Sequence, residues 1–171
     1  MSVSILVAYA TRTGSTREVA EAIATTLRES GLEVDIRLLR EVDTLEGYGA
    51  VVVGAPLFMF HWHKDAFRFL ARYRRALADL QGAVFALGPL HDEEKEWTDV
   101  RAQLDKELAK CPWFKPVAVQ IFGGKVDPAT LGLRWKLIPA LKNMPASDIR
   151  DWAAIRSWAN TLPDKLQLVD E

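Results

Sequence analysis

Thr11-Arg12-Thr13-Gly14-Ser15-Thr16 follows an apolar run and opens a helical pattern, and four of its six residues carry hydroxyls. Backbone N–H groups at a helix start attract anions, and hydroxyls among them can close around a phosphate. Gly14 lets the backbone approach without a Cβ in the way. The run lacks a Gly-Lys-Ser/Thr ending, so it is not a nucleoside-triphosphate P-loop, and it lacks a G-x-G-x-x-G dinucleotide fingerprint. Hydroxyls and amides with few fixed charges suit a monophosphate. The same residue types also serve as plain helix N-caps that bind nothing.

Other reactive side chains are sparse. His61 and His63 stand two apart and share a face in extended chain. Three roles are open to them: two ligands of a metal that lacks an evident third, a helix start, or contact with a bound ligand. No metal site is expected. Cys111, the one cysteine, lies in Lys110-Cys111-Pro112 without a Cys or His at metal-ligand spacing. It reads as a packing residue and fits a reducing compartment. No catalytic residue is identifiable from sequence.

The elements that must position the hydroxyl loop alternate along the chain. Val3 to Tyr9 reads as a buried strand, and Ser15 to Ser30 as a helix whose apolar face includes Val19, Ile23 and Leu27 and stops at Gly31. Val34 to Leu38 is a second strand, and Ala50 to Val53 a third, closed by Gly54. Lys64 to Arg75 is expected to be a helix with Phe67, Leu70 and Ala71 inward. Ala83 to Leu87 is a fourth strand ending at Gly88-Pro89. Thr98 to Ala109 is a helix on a Val100, Leu104, Leu108 stripe, Pro116 to Phe122 a fifth strand, and Asp148 to Leu162 a last helix carrying Trp152, Ile155 and Trp158. Strands apolar on both faces need helices on both faces, which implies a doubly wound parallel α/β sheet. The pattern reads as one domain over 1–171. Residues 125–146 form a long insert between the last strand and the last helix, with a short helix expected near Arg134 to Leu141.

On these residues the chain resembles the flavodoxin superfamily. Tyr9 to Thr16 is similar to its phosphate loop, (S/T)-x-T-G-x-(T/S), with Thr11, Thr13, Ser15 and Thr16 at the phosphate-binding positions. Ser15 stands where flavodoxins more often carry Asn. The resemblance implies a five-stranded parallel sheet of order 2-1-3-4-5 and flavin mononucleotide (FMN) as cofactor. It also implies two ring-binding loops at the carboxyl ends of strands. One holds Pro56, Leu57, Phe58, Met59, Phe60 and His61, with Phe58 or Phe60 stacked on the ring. The other holds Gly88, Pro89 and Leu90, whose backbone would bond the pyrimidine edge. Gly54-Ala55, His61-x-His63, Gly123-Gly124, a Trp135-containing insert and Asp151-Trp152-x5-Trp158-Ala159 resemble a narrower group within the superfamily. That group comprises flavodoxin-domain protoporphyrinogen dehydrogenases that use menaquinone.

Twenty-two basic against 23 acidic residues leave a net charge of −1, so the overall balance carries no nucleic-acid footprint. Flavodoxins are usually acidic. The near-neutral chain, with Arg12, His61, His63 and Lys64 expected at the flavin rim, favours an oxidoreductase of a porphyrinogen or quinone. It disfavours an electron carrier between redox partner proteins. Positive charge there is expected to raise the reduction potential and favour two-electron chemistry. The amino terminus lacks a basic n-region and no run reaches the ~18 apolar residues of a membrane span, so a cytoplasmic protein is expected. Residues 133–144 mix Trp135, Leu137 and Ile138 with Arg134 and Lys136, a composition suited to an apolar partner or peripheral membrane contact.

Overall fold

The computed structural model describes residues 3–130, 137–139 and 145–168. Strand β1 (Ser4–Tyr9) leads into helix α1 (Ser15–Glu29), then β2 (Glu33–Leu38), β3 (Tyr48–Phe58) and the short β4 (His61–Trp62). Helices α2 (Lys64–Arg72) and α3 (Arg74–Asp79) precede β5 (Gln81–Leu87), α4 (Glu94–Ala109) and β6 (Ala118–Phe122). A two-stranded ribbon of β7 (Lys125–Val126) and β8 (Ser147–Asp148) comes before α5 (Trp152–Lys165). The main sheet runs β2-β1-β3-β5-β6 with every one of these pairs parallel. This is the expected 2-1-3-4-5 order, because β4 pairs only with β3 as a hairpin.

Alternation along the strands divides the core in two. Ile5, Val7, Val52 and Phe85 face α1 and α5, whereas Leu6, Val51, Val53 and Val84 face α2 and α4. Each set is buried, so the strands read as continuous apolar runs. Among the described residues, no helix is long and apolar enough to cross a membrane.

Several boundaries differ from the sequence reading, each for a physical reason. Gly54 does not end the third strand. A Cβ there would lie 1.9 Å from the Phe85 ring, so glycine makes room for an aromatic cluster of Phe85, Phe122 and Trp158. The strand continues to Phe58 and turns back at Met59-Phe60 into β4, so the expected loop is a hairpin.

The helix expected over Lys64 to Arg75 breaks at Tyr73, whose hydroxyl donates to the Val42 carbonyl at 2.6 Å. Its inward residues are Ala66, Phe69 and Leu70, while Ala71 is exposed and Phe67 packs edge-on against Trp62. Helix α4 begins at Glu94, four residues before Thr98; its first turn is charged apart from Trp97, which packs against the core. The fifth strand starts at Ala118 and the last helix at Trp152. Most of the expected Arg134 to Leu141 helix, Trp135 included, lies outside the described residues. Leu137, inside them, is 78% exposed.

His63 starts α2. Its Nδ1 accepts the Asp65 backbone N–H at 3.1 Å, which requires the neutral ring with its proton on Nε2. Burial, reinforced by the charges of Arg12, Lys64 and Arg40 against that of Asp65, holds its pKa below the ordinary 6.5. A lowered folded value means that the cap contributes fully above about pH 6.5 and is lost as pH falls through the folded pKa. Chemical denaturation should therefore show stability falling by about 1 kcal/mol on this account as pH drops from 7 towards 5. His63→Asn, which caps without titrating, should flatten that part of the profile. An identical pH profile in the variant would contradict this assignment.

Candidate functional site

Parallel strands bring four turns to one edge of the sheet. The segments after β1, β3, β5 and β6 meet around a cleft of about 520 Å³. That is within the range of small-molecule and cofactor sites.

At one end lies the hydroxyl loop. The Gly14 N–H donates to Thr11 Oγ1 at 2.9 Å, closing a tight turn in which Gly14 adopts φ +97, a conformation that disfavours a side chain. Gly14 is also the N-cap of α1 and supplies no side-chain cap. The hydroxyls therefore do not serve as the plain cap that the sequence left open. Thr16 in the first turn is 0% exposed, and its Oγ1 has no hydrogen-bond partner among the described residues. A buried hydroxyl without a partner is destabilising by about 1–3 kcal/mol. An uncapped helix start beside such a hydroxyl is a place where an anion would supply the missing bonds. Arg12, Thr13 and Ser15 line the cleft, and Thr11, Gly14 and Thr16 are not part of its lining.

The hairpin makes one wall, with Pro56, Leu57, Phe58, Met59 and Phe60 on the cleft. Met59 (φ 51) and Phe60 (φ 66) form its two-residue turn in the left-handed region, where Asn and Gly are the favoured residues. Holding two bulky side chains there costs about 1–2 kcal/mol each. It leaves Phe60 75% exposed at the mouth. The base of the hairpin is rigid enough to hold this strain. Trp62 is buried, donating from Nε1 to the Ala55 carbonyl and from its backbone N–H to Glu107 Oε2, both at 3.1 Å. Glu107 is 2% exposed and also accepts from Lys110 Nζ at 2.7 Å. Burial opposes its ionisation, but the bonds from Lys110 and Trp62, with the charges of Lys110 and His61, outweigh that and lower its pKa.

The opposite wall is Leu87, Gly88 and Leu90 with Val100 of α4, and the floor beyond includes Gly124, Lys125 and Val126. Pro89 does not line the cleft. Most of this loop's backbone is already bonded: Gly88 N–H to Phe122, Leu90 N–H to Glu96 Oε1, and the Pro89 and Leu90 carbonyls to Gly124 N–H and Ser147 Oγ. These bonds fix the loop in place beside the cleft, where Gly88 and Leu90 are open to a ligand.

His61 is also misplaced by that reading. It lies outside the cleft lining, with Nδ1 3.8 Å from Glu107. Of the four basic residues expected at the rim, only Arg12 lines the cleft, its guanidinium 5.2 Å from the Phe58 ring centre. Helix α4 and the segment after β6 supply the rest: Lys95 and Lys125 against Glu93, Glu96, Asp99 and Asp127. The rim is mixed rather than basic. Glu93 belongs to the acidic run Asp92-Glu93-Glu94 that follows the second ring-binding loop in the sequence; no signal marked the others, since a helix face becomes a cleft wall only through packing.

A family model described as the flavodoxin domain matches residues 6–144. The chain belongs to the flavodoxin-domain family. Protoporphyrinogen IX dehydrogenase (quinone) of Escherichia coli K12 is 26% identical over 111 residues, covering 63% of this chain and 61% of that protein. The chain thus spans about three fifths of the length of these curated relatives. In fold it is similar to a short-chain flavodoxin associated with a bacterial microcompartment, with TM-score 0.60, 16% identity, and 96% and 97% of the two chains covered. Oxidised flavodoxin 1 from Bacillus cereus gives TM-score 0.56 at 16% identity over 98% and 99%. Membership of the family implies a flavin cofactor. The residues present fit such a group, with an unpartnered hydroxyl at an uncapped helix start and an apolar cleft beside it.

Thr16→Val should act in opposite directions on the two states. Without ligand it removes a buried hydroxyl that lacks a partner, so the apoprotein should gain about 1 kcal/mol or more in denaturant unfolding. Affinity for a phosphate-bearing flavin should fall about tenfold in direct titration. A variant that is less stable as apoprotein and binds unchanged would show that Thr16 has no part in the site.

Proposed function

We propose that the chain binds FMN, its phosphate at the first turn of α1 and its ring along the apolar length of the cleft. We further propose that it acts as an oxidoreductase on a quinone or porphyrinogen. The observation that carries the first step is the buried, unpartnered Thr16 hydroxyl at an uncapped helix start. A terminal phosphate fits such a turn better than the bridging pyrophosphate of a dinucleotide, which favours FMN over FAD.

Flavin, when bound, exchanges one or two electrons with a partner brought against its ring. The chain's own residues do the remaining work. Thr13 and Ser15 meet the phosphate, and the amides of the first α1 turn face the same charge. Phe58, backed by Arg12, offers an aromatic wall. Met59 and Phe60 keep water from one side, while Leu90 and Val100 shape the other.

The substrate class is supported by the Escherichia coli relative, which is named for protoporphyrinogen IX and quinone. A carrier between proteins is the second reading, and a specific observation favours it. Four acidic residues against three basic ones line the cleft, which would steer basic partners and lower the flavin's reduction potential.

Apoprotein titrated with FMN should quench flavin fluorescence at one-to-one stoichiometry and bind FAD more weakly. Under anaerobic conditions, protoporphyrinogen IX should reduce the loaded protein and a menaquinone analogue should reoxidise it. A reduced protein indifferent to quinones, yet rapidly reoxidised by a one-electron haem protein, would replace the oxidoreductase with the carrier.

A further inference from the structure

The chain returns from β8 to the back of the hydroxyl loop through one buried cation. The Arg150 side chain is 3% exposed. Its Nε and Nη2 donate to the two oxygens of Asp148, both at 2.9 Å. Its Nη1 donates to Glu18 Oε2 and to the Ser15 backbone carbonyl, both at 3.2 Å, and the guanidinium lies 4.8 Å from the Trp152 ring centre. The bond from Arg150 also holds the Asp148 carboxyl below the usual carboxylate range.

A cation at a helix amino terminus is unfavourable on its own, because the helix dipole is positive there. Two carboxylates offset it: with the guanidinium in place the cluster of Arg150, Asp148 and Glu18 carries a formal charge of −1, and without it two carboxylates would stand uncompensated beside the helix start. Ser15 is the first residue of α1 and lines the phosphate end of the cleft. Its partner in this bond is 135 residues away in sequence.

We propose that Arg150 is a positioning residue for the phosphate end of the cleft. Through the Ser15 carbonyl it sets the orientation of the first turn of α1, and through its charge it shields an incoming phosphate from Asp148 and Glu18. The inference rests on the FMN reading above. It assigns Arg150 a part in telling FMN from riboflavin, since only FMN meets that end of the cleft. It also ties the cofactor site to the β7–β8 ribbon, whose Lys125 and Val126 line the far part of the same cleft.

Calorimetric titration of the apoprotein with FMN and with riboflavin, in wild type, Arg150→Gln and Arg150→Lys, tests this. Arg150→Gln should lower FMN affinity about tenfold or more and riboflavin affinity less than about threefold. Arg150→Lys keeps the charge without the two-sided fork and should fall between wild type and Arg150→Gln. Adding Glu18→Gln to Arg150→Gln should recover part of the FMN affinity. Equal losses for the two flavins, failure of both variants to bind either, or no change at all would overturn the assignment. A wild-type protein that binds riboflavin as tightly as FMN would instead overturn the FMN reading.

Discussion

Taking a hydroxyl out of water without giving it a partner costs about 1–3 kcal/mol, and the first turn of α1 carries that cost at Thr16. The cost is local, but it depends on everything around it. Val19, Ala20 and Ile23 bury the same helix against the sheet, so the turn cannot rotate to expose the hydroxyl. Gly14 in a left-handed conformation, closed by Thr11, fixes the chain entering the helix. Arg150 holds the exit side through Ser15. A helix start clamped on both sides, with a hydroxyl left over, is preorganised for an anion and strained without one.

Topology then decides what lies beside that anion site. From β1 the chain goes to β2 on one side and returns to β3 on the other, so the β1 and β3 turns diverge and leave a crevice at their carboxyl ends. Parallel pairing puts the turns after β5 and β6 at the same edge. The hairpin at the end of β3 is the part under most strain, with Met59 and Phe60 at positive φ, and its anchorage through Trp62 and Glu107 lies on the side away from the cleft. Strain is thus concentrated where a flat ligand would be gripped, and rigidity where the hairpin joins the core.

How much of this was legible in the sequence follows from the range of each interaction. The doubly wound parallel class and the hydroxyl loop were legible because apolar runs, helical spacing and a loop between them are local patterns, whereas the strand order came from the family resemblance. Gly54 was misread as a strand end because its reason, the Phe85 ring, is 31 positions away. The hairpin gave no turn signal, since Met59-Phe60 contains neither Gly nor Asn. His61 reads as a ring contact because it shares a run with Phe58 and Phe60, and the hairpin that carries it away from the cleft leaves no mark in the sequence. The acidic wall that Glu96 and Asp99 form on α4 was not legible either, because only packing turns that helix face towards the cleft. That change of rim charge removes the sequence-based argument for a raised reduction potential.

The central claim is that an FMN phosphate is held at the buried first turn of α1, away from water. Phosphorus-31 NMR of the loaded protein reads this directly. Free FMN phosphate titrates with a second pKa of about 6. The account predicts a single shifted resonance that stays constant from pH 5 to pH 8, because the turn keeps the phosphate in one charge state. A resonance that follows the titration of free FMN would place the phosphate in solvent and contradict the account.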